Sequence, residues 1–182
     1  MAGMIEGLSR TPGGVITGPD RLVDLGSGGG IPSLVLLDAF PLAAGVLIEA
    51  QRKRAQFLRE AVEALGWADR VSVREERAEE SGRDEALRER MSLVTARSFG
   101  PPAVLAECAA PLLRLHGRLV VSEPPDSPPE RWDPAGLAQL GLELDRIEAP
   151  DGAHFAVVTK KALVSAKFPR RPGIPAKRPI WQ

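Results

Sequence analysis

The segment Val23-Asp24-Leu25-Gly26-Ser27-Gly28-Gly29-Gly30 constrains this chain more than any other, because a run of glycines directly after a short apolar stretch suits few places in a fold. Glycine tolerates positive φ and leaves room where a Cβ would collide, so the run reads as a tight turn between a strand and a helix, with the backbone open to a ligand. The rest of the chain repeats the rhythm of short apolar run, turn and amphipathic segment. Strands are predicted over residues 22–25, 45–49, 71–74, 92–96 and 118–122. Helices are predicted over residues 31–40, 51–65, 103–113 and 135–140, the second placing Phe57, Leu58, Ala61, Val62 and Leu65 on one face before Gly66 stops it. Residues 123–134 are crowded with proline and read as a loop, and two late strands, 142–147 and 155–160, read as an edge hairpin around Asp151-Gly152. Strands alternating with helices predict a single Rossmann-like α/β domain, its sheet mostly parallel with an antiparallel edge hairpin.

Two carboxylates sharpen the reading of the turn. Asp24 precedes it and can hold an ammonium group or order the loop around one, and Glu49, about two dozen residues on, ends the second strand where a carboxylate can accept both hydroxyls of a ribose. A dinucleotide fingerprint needs its third glycine one residue after Gly30, where this chain has Ile31, and a pyrophosphate would be repelled by Asp24. The spacing Asp-x-Gly-x-Gly-x-Gly suits a cationic sulfonium ligand with an amino-acid end, which is the chemistry of S-adenosylmethionine. Gly26, Ser27, Gly28 and Gly30 then form the cofactor turn.

Composition removes other classes. The 182 residues, 43% of them apolar, can bury one core, so a leader over residues 1–20, a domain over 21–166 and an arm over 167–182 are expected. No apolar run reaches the roughly 18 residues of a membrane span, and the chain is expected to be soluble and cytoplasmic. One cysteine and two histidines give neither an internal disulfide nor a zinc cluster, and no metal is expected. Cys108 shares a helical face with Val104, Leu105 and Leu112 and reads as a buried structural thiol; His116 and His154 read as surface residues in turns.

The chain resembles the RsmG family, the small-subunit ribosomal RNA guanine-N7 methyltransferases, also called glucose-inhibited division protein B. The matching residues are Asp24 to Pro32, Glu49-Ala50-Gln51-Arg52-Lys53-Arg54 with Phe57-Leu58, Arg77-Ala78-Glu79-Glu80, Ala96-Arg97-Ser98-Phe99, and the closing Phe168 to Lys177. The resemblance implies a class I S-adenosylmethionine-dependent methyltransferase acting on guanine N7 of 16S ribosomal RNA, with that RNA or the small subunit as partner. It also implies that Gly26 and Ile31 line the cofactor turn, that Ala78 and Glu79 sit beside the adenine, and that Arg97 lies between cofactor and substrate. Two features depart from the family: about twenty poorly patterned residues precede the first strand in place of a helical region, and Ser122-Glu123-Pro124-Pro125 replaces a lysine-glycine pair after the fifth strand.

The tail carries Lys167, Arg170, Arg171, Lys177 and Arg178 among prolines, and reads as a non-helical basic arm that either contacts RNA phosphates or packs back on acidic residues of the domain. Trp181 can stack on a base or pack internally. Guanine N7 already carries an in-plane lone pair, so the chemistry calls for orientation and not for an acid–base pair, and no catalytic residue is assigned. Two other readings stand beside this one: a methyltransferase for another RNA or a small molecule, and a cofactor-binding, ribosome-associated protein without catalysis.

Overall fold

The computed structural model describes residues 18–125, 127–149 and 152–182. Most of the leader expected over residues 1–20, and Asp151 of the expected hairpin tip, lie outside the described residues. The first strand, β1 (Arg21–Leu25), leads through the glycine turn into α1 (Ser33–Ala39), β2 (Ala44–Ile48), α2 (Arg52–Ala64) and β3 (Val71–Arg74). Next come α3 (Ala78–Ser81), β4 (Met91–Ala96), α4 (Pro102–Ala109) and β5 (Leu113–Glu123). A 3-10 turn (Pro129–Arg131), α5 (Pro134–Gln139), β6 (Leu142–Glu148), β7 (His154–Lys160) and α6 (Ile174–Lys177) complete the chain.

The seven strands form one sheet in the order β3-β2-β1-β4-β5-β7-β6. Pairings from β3 through β5 are parallel, and β7 runs antiparallel to both β5 and β6. Its central strands β1 and β4 are buried almost throughout because both faces of the sheet are covered there. Leu22, Leu93, Val120 and Val157 join one core cluster, whereas Val23, Val94, Leu119 and Val158 join another, as the two-residue alternation of a strand requires. The chain steps outward from β1 to β3 and then crosses back to β4 on the other side of β1. Ligand crevices open at such a reversal, beyond the carboxyl ends of the strands.

Local details differ from the sequence expectations. The helix expected to run to Leu113 ends at Ala109, since Pro111 has no N–H for the ladder and Leu113 already pairs with Met91 in β5. That strand begins earlier than residue 118, with an irregularity at which His116 takes φ 63°; His116 thus lies in a strand and His154 opens another, neither in a turn. In α2 the buried face is Ala55, Leu58 and Val62. Phe57 and Leu65 are exposed, because Phe57 is turned by about 100° from Leu58 and Leu65 sits past the last turn.

The tail, expected to be non-helical, contains the single turn of α6, with Pro175 in its first turn where a missing N–H costs nothing. It is packed onto the domain. Phe168 is buried in the main core, and the carbonyl of Phe168 accepts from Arg88 Nη1 at 2.9 Å. The Trp181 ring lies so close over Gly136 that a Cβ there would stand 2.1 Å from it, and its Nε1 donates to the Arg131 carbonyl at 2.9 Å. Packing is therefore the role of Trp181. Beneath the sheet edge, fully buried Lys160 donates through Nζ to the Ala110 carbonyl at 2.6 Å, placing a cation at the end of α4; burial pushes its ammonium down to about 8.

Candidate active site

The glycine turn leans on the end of β2: the Gly26 and Ser27 amides both donate to the Ile48 carbonyl, at 2.9 and 3.0 Å. Gly26, Gly28 and Gly30 all have positive φ, and a Cβ on Gly26 would stand 3.1 Å from the Phe99 ring. Glycine at 26 and 28 is thus a backbone requirement. Glu49, buried at the end of β2, closes the turn from below. Its Oε2 accepts the Gly28 N–H at 2.9 Å and its Oε1 the Gln51 N–H at 2.8 Å, so the carboxylate is held in one orientation.

Asp24 is 1% exposed. Thr95 of β4 donates its hydroxyl to Asp24 Oδ1 at 2.7 Å, and the Ser27 hydroxyl donates to the Asp24 carbonyl at 3.0 Å. Asp24 Oδ2 and the neighbouring-turn hydroxyl of Ser33 have no hydrogen-bond partner. Burial pushes the Asp24 carboxyl up to about 6, against the nearby hydroxyls of Thr95, Ser33 and Ser27 and the positive charge of Arg97. An ionised carboxylate with an unfilled acceptor fits a ligand that brings a cation. Arg97, at the carboxyl end of β4, is exposed, as is Ile31 on the turn.

Gly26 of the turn, Glu49, Ala78, Glu79, Phe99 and Ala176 line a cleft of about 230 Å³. The sequence-derived cofactor residues Asp24, Gly26, Ser27, Gly28, Gly30, Ile31, Glu49, Ala78, Glu79 and Arg97 all lie at this carboxyl edge. Glu79 has a use that its sequence position does not disclose: its Oε1 accepts the Gly173 N–H at 2.8 Å, tying the tail to α3. Glu80 caps α3 by accepting the Arg77 N–H at 2.8 Å. Cys108 borders the cleft but is fully buried, and burial with the carboxylates of Glu79 and Glu107 holds its thiol protonated.

Of the basic tail residues, Arg170 is engaged internally. Its Nε and Nη2 reach Glu107 Oε1 and Oε2 at 2.8 and 2.6 Å, and its amide also donates to Oε1; Glu107 is completely buried in α4. Lys167 Nζ lies 4.9 Å over the Phe168 ring, and Arg171, Lys177 and Arg178 are exposed.

A second cleft, of about 440 Å³, shares Phe99 with the first and runs between Leu105, Val121, Glu123, Arg131 and Trp132. Arg131 Nη1 donates to Glu123 Oε2 at 2.6 Å and to Ser127 Oγ at 2.6 Å. Reasoning from sequence left residues 123–134 as a loop and missed this pairing; the acidic and basic residues eight apart gave no periodic signal. Thr95 and Ser33 were missed for the same reason, although Phe99 stood within a matched motif.

A seven-stranded sheet reversing between β1 and β4, with a glycine turn and two buried carboxylates, Asp24 and Glu49, at the reversal, is the architecture of a class I S-adenosylmethionine-dependent methyltransferase. The fold is similar to that of an RNA methyltransferase from Salinibacter ruber, solved in complex with S-adenosyl-L-homocysteine (TM-score 0.59, 23% identity, 80% of this chain and 84% of that one). It is similar also to a SAM-dependent methyltransferase from Aquifex aeolicus (TM-score 0.58, 17% identity, 78% of this chain and 82% of that one). In sequence, the chain is 40% identical over 174 residues to the ribosomal RNA small subunit methyltransferase G of Chloroflexus aggregans, covering 90% of this chain and 71% of that protein. It is 36% identical over 168 residues to the protein of the same name from Roseiflexus sp., covering 89% and 71%. The family described as rRNA small subunit methyltransferase G matches residues 12–123, and the chain belongs to that family.

Proposed function

We propose that this methyltransferase places a methyl group on guanine N7 in the RNA of the small ribosomal subunit. The observation that carries the reading is the meeting of two clefts at Phe99, the smaller lined by Gly26, Glu49, Ala78 and Glu79 and the larger walled by apolar and charged groups. S-adenosylmethionine would supply a methyl group on a sulfonium, which an in-plane nitrogen lone pair can take without deprotonation as the C–S bond breaks and the neutral thioether leaves. The protein's work is then to bind and orient. Glu49 would accept the ribose hydroxyls, Asp24 would face the ammonium end and order the turn, and Ala78 and Glu79 would flank the adenine. Phe99 would separate the two ligands and exclude water from the line between them. Alignment of this kind can supply roughly 7 to 11 kcal/mol of the barrier. Arg97, Arg171, Lys177 and Arg178 supply cations for RNA phosphates, and family membership points to the small-subunit RNA as their target.

Radiolabel transfer from S-adenosylmethionine to purified small subunits and to their naked RNA, followed by nucleoside mass analysis, tests the reading. The expected product is 7-methylguanosine. Label in another nucleoside, or none in either substrate, overturns it.

A further inference from the structure

The second cleft departs from a simple slot in ways the cofactor reading does not use. Glu123 ends β5 with its side chain only 4% exposed, and among the described residues that side chain's hydrogen bond is the one that Oε2 accepts from Arg131. Trp132 is 1% exposed and its Nε1 has no hydrogen-bond partner. A buried indole donor left unpaired is costly, and the Trp132 side chain lines this cleft, where a ligand acceptor would complete it. The segment holding these groups is braced from behind: the Arg131 carbonyl accepts from Trp181, Asp133 Oδ2 accepts the Gly136 N–H at 2.6 Å, and the Trp181 ring covers Gly136. The walls between are apolar, from Phe99, Leu105 and Val121. The volume falls in the range of small-molecule sites, roughly 300–1,000 Å³.

We infer that this cleft is the pocket that reads the target base, in which Glu123 selects guanine by accepting its N1–H and 2-amino group while the Trp132 indole donates to O6. This rests on the function proposed above. A flipped base is read on its Watson–Crick edge and held between apolar or aromatic faces. Guanine alone among the four bases sets two adjacent donors beside an acceptor on that edge, which matches a carboxylate beside an N–H donor. Adenine would turn the N1 lone pair toward the carboxylate. With that edge against Glu123, N7 lies across the purine from the 2-amino group, away from the carboxylate, and Phe99 is a wall that this cleft shares with the smaller one. Arg131, 2.6 Å from Oε2, holds the carboxylate in place and so is a positioning residue.

Once the methylated position is mapped, transcripts carrying guanosine or inosine there separate this reading from the functional one, since inosine keeps N7 and N1–H and lacks only the 2-amino group. The wild-type protein is expected to show kcat/KM about tenfold to a hundredfold higher for guanosine, the scale of a hydrogen bond to a charged group. Glu123→Gln is expected to lose that much activity on guanosine and bring the guanosine-to-inosine ratio close to one, with S-adenosylmethionine affinity by calorimetry unchanged. Glu123→Asp, which keeps a charge for Arg131 but draws it back, is expected to lower the ratio in the same direction. A wild-type protein that methylates inosine as fast as guanosine overturns the pocket assignment and leaves the function standing, as does a Gln variant with the wild-type ratio. A wild-type protein that makes no 7-methylguanosine overturns both.

Discussion

A carboxylate as deeply buried as Asp24, with Oδ2 unpartnered, destabilises the free protein when it ionises. Its folded value of about 6 lies above the ordinary 3.8, so the folded state binds more protons between those values and stability falls as pH rises through that window. The difference corresponds to about 3 kcal/mol. Asp24→Asn keeps the acceptor for Thr95 and offers an amide N–H toward the unpaired Ser33 hydroxyl. It is therefore expected to raise the unfolding free energy by about 2 to 3 kcal/mol at pH 7.5 and by much less at pH 4, measured in urea. S-adenosylmethionine affinity is expected to fall in the same variant, because the cation loses its counter-charge. A variant no more stable than wild type at pH 7.5 would show that Asp24 is already satisfied. Asp24 and Glu49 were both legible in the sequence, since each sits at a strand end beside a turn. What was not legible is that Asp24 carries an unfilled acceptor, because its partner Thr95 comes from a strand 71 residues away.

At the scale of elements, the tail and α4 are joined by Arg170 and the completely buried Glu107. Removing one member of a buried pair leaves the other charge uncompensated, at a cost of about 3 to 5 kcal/mol. Because the Arg170 side chain keeps 29% of its exposure, the lower figure applies: Arg170→Ala is expected to destabilise by about 3 kcal/mol. The double variant Arg170→Met with Glu107→Gln, which buries no charge, is expected to recover most of that loss. Equal stability of the single and double variants in denaturant titrations would refute a buried-charge origin. The alternation of strands and helices was readable because each element buries an apolar face at its own period. Their ends were less so: α4 stops at Ala109 where apolar residues continue, since the same Leu112 and Leu113 serve a turn and a strand as readily as a helix.

For the whole molecule, a net charge of zero leaves RNA attraction to local clusters. With Arg170 held by Glu107, the exposed tail cations are Lys167, Arg171, Lys177 and Arg178. Replacing Arg171, Lys177 and Arg178 by glutamine is expected to flatten the slope of log affinity for single-stranded RNA against log salt by about 2, with unchanged thermal midpoint and cofactor affinity. An unaltered slope would remove the tail from the RNA interface. Deleting residues 167–182 is a poorer test, because Phe168 and Trp181 belong to the packed body of the protein.

The sequence by itself determined the succession of strands and helices, the glycine turn and the acids beside it, because glycine conformations and strand or helix periods are local properties that neighbouring residues express together. The tertiary structure alone decided which distant groups meet: Thr95 at Asp24, Gly173 at Glu79 across 94 residues, Arg170 at Glu107 across 63, and the Glu123, Arg131 and Trp132 pocket braced by Trp181. Those contacts depend on strand order, register and the path of the tail over the core. No period in the chain encodes them, so they exist only once the sheet has reversed direction at β1 and the tail has closed over α4.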